Sequence, residues 1–107
     1  MREHLAHFDI AGFTYYEGVL AFSELKIGVQ LQLKLEEENK FDARAVAIYY
    51  KEFKLGFVPR SENRIFYKLL KVGIDCFEAR IQRLDEKENP ESQVGVVVHL
   101  VKIEKET

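Results

Sequence analysis

The chain has 107 residues, of which 47% are hydrophobic and 32% charged, with a formal net charge of −2. This composition is typical of a folded globular protein and excludes a disordered chain, and the length predicts a single domain over residues 1–107. The charge excludes indiscriminate wrapping of nucleic acid, because any such contact would need a local basic patch.

The compartment is predicted from what the chain lacks. Cys76 is the single cysteine, which excludes an internal disulfide and a cysteine-based zinc site. No apolar run reaches the ~20 residues needed to span a bilayer. The first four residues lack the apolar stretch of a secretory signal. We therefore expect a cytoplasmic protein that does not bind membranes.

The first third of the chain predicts two strands and one undecided segment. Residues 8–13 alternate loosely and predict a first strand, with Gly12 as a bulge or bend. Residues 19–27 fit a short helix or an irregular crossing equally well. Residues 29–35 carry the clearest signal, because four apolar residues alternate with three polar ones, which is typical of a strand with one buried face.

The rest of the chain predicts a hairpin, one helix and two further strands. Pro59 ends the hairpin because it has no amide proton to donate. A polar loop over residues 85–92 joins the last two strands. The predicted elements are strands 45–50 and 53–58, a helix with its N-cap at Ser61 and its end at Gly73, and strands 76–84 and 93–103.

These elements predict a mainly β fold with one helix, of the α+β class. Five to six short strands and one main helix in a chain of this size favour a small, partly open OB-like or SH3-like β-barrel. A parallel α/β fold is disfavoured because alternating helices are missing.

The sequence contains no recognisable catalytic motif. The phosphate-binding loop and the Gly-x-Ser-x-Gly elbow are both absent. The histidines His4, His7 and His99 have no acidic or cysteine partner at metal-ligand spacing. The carboxylates cluster in runs such as residues 36–38, which are typical of solvated loops. We therefore expect no enzymatic activity, no metal and no cofactor.

An acidic residue stands between an aromatic residue and an arginine in the segment that contains Phe41, Asp42 and Arg44. Rings and cations suit nucleic acid, but a carboxylate repels phosphates, so Asp42 is best explained as the acceptor of a hydroxyl hydrogen bond. Phe41 is also suited to anchor the loop. Tyr15 and Tyr16 are adjacent, and one of them could present a stacking surface, or both could be ordinary core or rim residues.

Four ordered sequence blocks carry a more specific signal. They are Tyr15-Tyr16-x-Gly18, Leu25-x-x-Gly28, Glu38-Asn39-x-Phe41-Asp42-x-x-Ala45-Val46-Ala47 and Leu55-Gly56-Phe57-Val58-Pro59-Arg60. Together they resemble the HIRAN domain, a family found at the N-terminus of certain DNA-repair helicases and as small free-standing proteins. The resemblance extends from about Phe8 to about Val101.

The resemblance implies a modified OB-like barrel that binds single-stranded DNA and recognises its free 3′ end, in DNA repair or replication-fork processing. By position, Tyr15 resembles the tyrosine that contacts a base, and Phe41 stands beside the terminal nucleotide, where members often have tyrosine. Asp42 resembles the aspartate that accepts a hydrogen bond from the 3′-hydroxyl, and Arg60 would face a phosphate.

Three further residues are supporting candidates for DNA binding. Tyr16 lies next to the base-contacting position. Asn39 is also suited to shape the turn, since asparagine bonds its own loop. Arg44 is suited equally to contact phosphate or to pair with the acidic run.

The alternative function is a protein-interaction module on the same barrel, whose exposed hairpin edges would accept a strand from a partner such as a DNA-processing protein. The acidic composition favours this alternative and the sequence blocks disfavour it.

Overall fold

The computed structural model describes residues 1–85, 87 and 93–103. Within these residues, six strands form one antiparallel sheet in the order β1-β6-β5-β2-β3-β4. The predicted polar loop over residues 85–92 lies outside the described residues except for Asp85 and Lys87. The strands are β1 (Arg2–Asp9), β2 (Gln30–Leu35), β3 (Val46–Tyr50), β4 (Phe53–Phe57), β5 (Phe77–Leu84) and β6 (Val94–Val101).

Two α-helices accompany the sheet in the described part of the chain: α1 (Gly18–Ala21) and α2 (Asn63–Lys71). The segment over residues 19–27, which fitted a short helix or an irregular crossing equally well, contains α1 except for its first residue and then a 3₁₀ turn, Phe22–Glu24. A second 3₁₀ turn, Phe13–Tyr15, precedes α1. No helix among the described residues is long and apolar enough to cross a bilayer.

The two edges of the sheet are joined by the residues that follow β1. The amide of Ile10 donates to the carbonyl of Val94 in β6 at 3.0 Å. The next residue, Ala11, exchanges two backbone hydrogen bonds of 2.9 Å with Phe57 of β4. This segment continues the edge strand β1 beside β6 and bonds to the other edge strand, β4. The sheet therefore curls into the partly open, OB-like barrel that the sequence predicted.

A glycine permits this closure. Gly56 has φ +148°, and a Cβ atom placed on it would lie 2.3 Å from the carbonyl oxygen of Ala11. Any larger residue would force β4 away from the segment after β1. The close approach also sets one wall of the pocket described below.

The core follows the predicted alternation most closely in β2. Leu31 and Leu33 are buried, whereas their polar neighbours in the strand are exposed. Helix α2 covers the barrel from the side of β2 and β3. Its Phe66 is fully buried, with its ring centroid 6.0 Å from that of Phe8 and 4.9 Å from that of Phe77.

The predicted first strand is wrong in its position. β1 extends over Arg2–Asp9 rather than residues 8–13, because it pairs with β6 along its whole length, and the loose alternation of the sequence does not reveal that partner. The predicted bend at Gly12 is confirmed, since this residue has φ +73°.

The predicted N-cap of the main helix is also wrong. Helix α2 begins at Asn63, and Glu62 occupies the N-cap position without a side-chain hydrogen bond. The amide of Glu62 donates to the carbonyl of Pro59 at 2.9 Å. This turn includes Ser61, so the helix starts later in the chain than the sequence signal indicated.

Candidate functional site

A pocket of approximately 240 Å³ opens beside the closure of the barrel. Ala11 and Phe57, which join the two sheet edges, contribute to its wall. Five of the seven predicted site residues line it, namely Tyr16, Asn39, Phe41, Asp42 and Arg60. The structure therefore brings together residues from the end of the 3₁₀ turn, the loop after β2 and the turn after β4.

The carboxylate of Asp42 is held by two protein donors. Its Oδ1 accepts a hydrogen bond from the amide of Arg44 and its Oδ2 accepts one from Nδ2 of Asn63, both at 2.9 Å. The Nε of Arg60 lies 3.7 Å from Oδ2, and the Asp42 side chain is 19% exposed. Since a carboxylate has about four acceptor positions, Asp42 is fixed in orientation and can still accept a hydrogen bond from a ligand.

Asn39 shapes the loop that carries Asp42. Its Oδ1 accepts hydrogen bonds from the amides of Phe41 and Asp42 at 2.8 and 2.9 Å. Two bonds to one side-chain oxygen close a tight turn. The interpretation of Asn39 as a turn-forming residue is confirmed, whereas its contact with DNA stays a prediction.

Phe41 is not a buried loop anchor. Its side chain is 85% exposed at the rim of the pocket. Its carbonyl oxygen accepts a hydrogen bond from Nη2 of Arg60 at 2.9 Å. The backbone at Phe41 is thus held in place, while the ring stands in solvent.

The two adjacent tyrosines have different surroundings. Tyr16 packs edge-on against Phe57 with ring centroids 5.4 Å apart, and it forms part of the pocket wall. Tyr15 is 83% exposed and does not line the pocket. Their different surroundings arise where the chain leaves a 3₁₀ turn, since Tyr15 is the last residue of that turn and Tyr16 follows it. Tyr15 is nevertheless close to the pocket, because a Cβ atom placed on the pocket-lining residue Gly12 would lie 3.8 Å from the Tyr15 ring.

Lys54 supports the aromatic wall and was not identified from the sequence. Its Nζ lies 4.7 Å from the ring centroid of Tyr16 and 4.4 Å from that of Phe57. The same ammonium group is paired with Glu36 at 2.7 Å. A cation near the faces of two rings is attracted to both, so Lys54 favours the orientation in which Tyr16 forms the pocket wall.

The two predicted arginines differ in their contacts. The guanidinium of Arg60 is exposed and lies beside both Asp42 and the carbonyl of Phe41. Arg44 contributes its backbone, since its amide donates to Asp42 and its carbonyl accepts from Asn63. Within the described residues its guanidinium forms no ion pair with the acidic run, and its contact with phosphate stays a prediction.

Asn63 is the site residue that the sequence reasoning missed. It is 1% exposed, and its Nδ2 donates to both Oδ2 of Asp42 and the carbonyl of Arg44 at 2.9 Å. Its Oδ1 has no hydrogen-bond partner within the described residues. The signal was available, because Asn63 precedes Phe66 and Leu70 by three and seven residues and so shares the buried face of the helix.

The three histidines lie on the neighbouring strands β1 and β6, outside the pocket. Nδ1 of His7 lies 3.3 Å from Nε2 of His4, and the His4 and His99 ring centroids are 5.9 Å apart. Among the residues that the structure describes, no group of three or more histidine, cysteine or acidic side chains is arranged to hold a metal ion.

The chain matches a known protein family over most of its length. The HIRAN domain family model matches residues 5–101, a range that includes every residue of the pocket. The chain belongs to the HIRAN domain family. This match confirms the resemblance that the four sequence blocks carry. HIRAN domains are a family of nucleic-acid-binding domains.

The HIRAN fold of this chain is similar to that of a solved protein from Lactobacillus plantarum. The two share 20% sequence identity with a TM-score of 0.78, over 94% of this chain and 95% of that one. At this identity the likeness supports the fold alone. No curated protein matches the chain in sequence.

Proposed function

We propose that this HIRAN domain is a non-enzymatic module that binds single-stranded DNA at a free 3′-hydroxyl end, in the cytoplasm, during DNA repair or replication-fork processing. The observation that carries the proposal is the Asp42 carboxylate, which lines the pocket, is held by Arg44 and Asn63, and retains acceptor positions. A carboxylate in this setting favours a ligand group that donates a hydrogen bond.

A 3′ end differs from an internal nucleotide at one group. The end carries a hydroxyl that can donate to Asp42, and such a bond to a charged group contributes ~1.5–3 kcal/mol. An internal nucleotide carries a phosphate at the same atom, which the carboxylate repels. One side chain can therefore attract an end and reject a continuous strand.

The aromatic residues around the pocket would hold the bases. Phe41 and Tyr15 expose their rings, and Tyr16 provides a fixed wall where it packs against Phe57. Stacking of a base on an aromatic ring contributes ~1–3 kcal/mol and depends little on the base. We therefore expect binding with little sequence preference.

The phosphate role of Arg60 can be tested by substitution. Arg60→Ala is expected to lower affinity for a single strand about threefold at low salt and to reduce the salt slope by ~0.7, because one phosphate contact is lost. Affinity measured across a salt series checks this. Lys102→Ala is the charge-matched control, since Lys102 follows Val101, which pairs with Arg2 at the end of β1 that is distant from the pocket residue Ala11. A slope equal to that of the control variant would disprove the role.

The function itself is tested by comparing two oligonucleotides that differ only at the 3′ end. Fluorescence anisotropy at low salt, with the label at the 5′ end, is expected to give at least about tenfold tighter binding for the 3′-hydroxyl strand than for the 3′-phosphate strand. Equal affinities would refute end recognition. Failure of both strands to bind would favour the protein-interaction alternative, although one sheet edge, β4, is already engaged by Ala11.

A further inference from the structure

Helix α2 carries only positive charges, although the chain has a net charge of −2. They are Arg64, Lys68 and Lys71. Residues spaced by four and three lie on one flank of a helix. Asn63 and Phe66 define the buried face, and the three cations form a basic flank on the exposed side of the helix.

The contacts of α2 show where this basic flank lies. Lys71 pairs with Glu37 at 3.1 Å, and Asn63 contacts Asp42 at 2.9 Å. Both partners belong to the loop between β2 and β3, so the helix runs alongside that loop with its first turn at the pocket. Because Lys71 shares its flank with Arg64 and Lys68, the basic flank borders the loop.

The charges nearest the pocket are the ones available to a ligand. Arg64 and Lys68 are exposed and form no ion pair within the described residues. Lys71 is engaged, since its hydrogen bond with Glu37 raises the pKa of its ammonium group. Arg64 and Lys68 are separated by about 6 Å along the helix axis, and Arg60 precedes them at the pocket.

We propose that the phosphates of the nucleotides 5′ to the terminal one lie along this basic flank, at Arg64 and Lys68. The inference rests on the proposed function, because the pocket must first hold the 3′ end. Charge complementarity and continuity with Arg60 favour a phosphate backbone as the occupant. The Lys71–Glu37 pair, followed by Glu38, ends the path after about two phosphates.

The test is a length series of 3′-hydroxyl oligonucleotides of two, four and eight nucleotides, measured against the double variant Arg64→Gln/Lys68→Gln. We expect the variant to bind the two longer strands roughly five- to tenfold more weakly, with a salt slope reduced by ~1.4, and to bind the dinucleotide as the unmodified protein does. The control variant Lys26→Gln/Lys102→Gln removes two exposed, unpaired charges elsewhere in the described chain and should leave all three affinities within about twofold.

The outcomes separate this inference from the proposed function. Losses equal to those of the control, or equal for the dinucleotide and the longer strands, would overturn the phosphate path while leaving end recognition intact. A dinucleotide that binds equally with a 3′-hydroxyl and a 3′-phosphate would refute end recognition itself. Failure of every oligonucleotide to bind would overturn both.

Discussion

Asp42→Ala is expected to abolish the preference for a 3′-hydroxyl over a 3′-phosphate, a loss of roughly 10- to 100-fold in discrimination. The hydroxyl strand loses its acceptor and binds more weakly, whereas the phosphate strand no longer meets a carboxylate and binds more tightly. Anisotropy with the two strands measures both changes. A general weakening would lower both affinities and keep their ratio, so the direction of each change is informative.

Two controls protect this result from effects on folding. Removal of the carboxylate leaves the amide of Arg44 without its acceptor and leaves the buried Nδ2 of Asn63 with one acceptor, the carbonyl of Arg44, instead of two. This loss is expected to cost about 1–3 kcal/mol of unfolding free energy. Thermal unfolding must therefore confirm that the variant is folded. Glu38→Ala removes one negative charge from the same loop and should retain the preference. A variant at Asp42 that kept its preference would contradict the assigned role.

Asn63→Asp is expected to make the protein sensitive to pH. The introduced carboxylate would face Asp42 where an amide donor now stands, and two carboxylates at hydrogen-bond distance cannot both remain ionised without strong repulsion. We expect a loss of about 3 kcal/mol in unfolding free energy at pH 7. The preference for a 3′-hydroxyl should fall with it, because Asp42 would be displaced.

The direction of the pH dependence follows because the carboxyl groups of Asp42 and of the introduced aspartate must share one proton. One carboxyl of the pair has its pKa raised in the folded state above its unfolded value of ~4, so the stability of the variant is fully present below pH ~4 and is lost as the pH rises through the raised pKa. Urea unfolding at pH 5 and pH 8 measures this. Asn63→Leu is the matched control, since it removes the donor without adding a charge. An equal destabilisation of the Asn63→Asp variant at both pH values would contradict the account.

Much of the barrel could be predicted from local patterns. The alternation in β2 predicted its buried face, and the missing amide proton of Pro59 predicted the end of β4. The loop containing Asn39 and Asp42 was identified as a candidate site because its chemistry is local: one side chain forms the turn and a nearby one projects from it.

The remaining features depend on contacts between distant parts of the chain. β1 is defined by its pairing with β6, so its own weak alternation placed it several residues too late. The different exposure of Tyr15 and Tyr16 arises from a 3₁₀ turn and from Phe57 and Lys54, which are distant in the sequence. The place of Asn63 on the buried face of α2 could be predicted from its spacing, but its hydrogen bond to Asp42 could not, because Asp42 lies 21 residues earlier in the chain.

The signals of two amides report most directly on the central claim, that Asp42 accepts a 3′-hydroxyl. The amide of Arg44 and the Nδ2 group of Asn63 both donate to the Asp42 carboxylate, so their proton and nitrogen NMR frequencies sense its ligands. Titration with a 3′-hydroxyl dinucleotide is predicted to shift both signals, and the matching 3′-phosphate dinucleotide at the same concentration should leave them in place. Equal shifts with the two dinucleotides, or binding that moves other signals while these two stay unchanged, would contradict the claim.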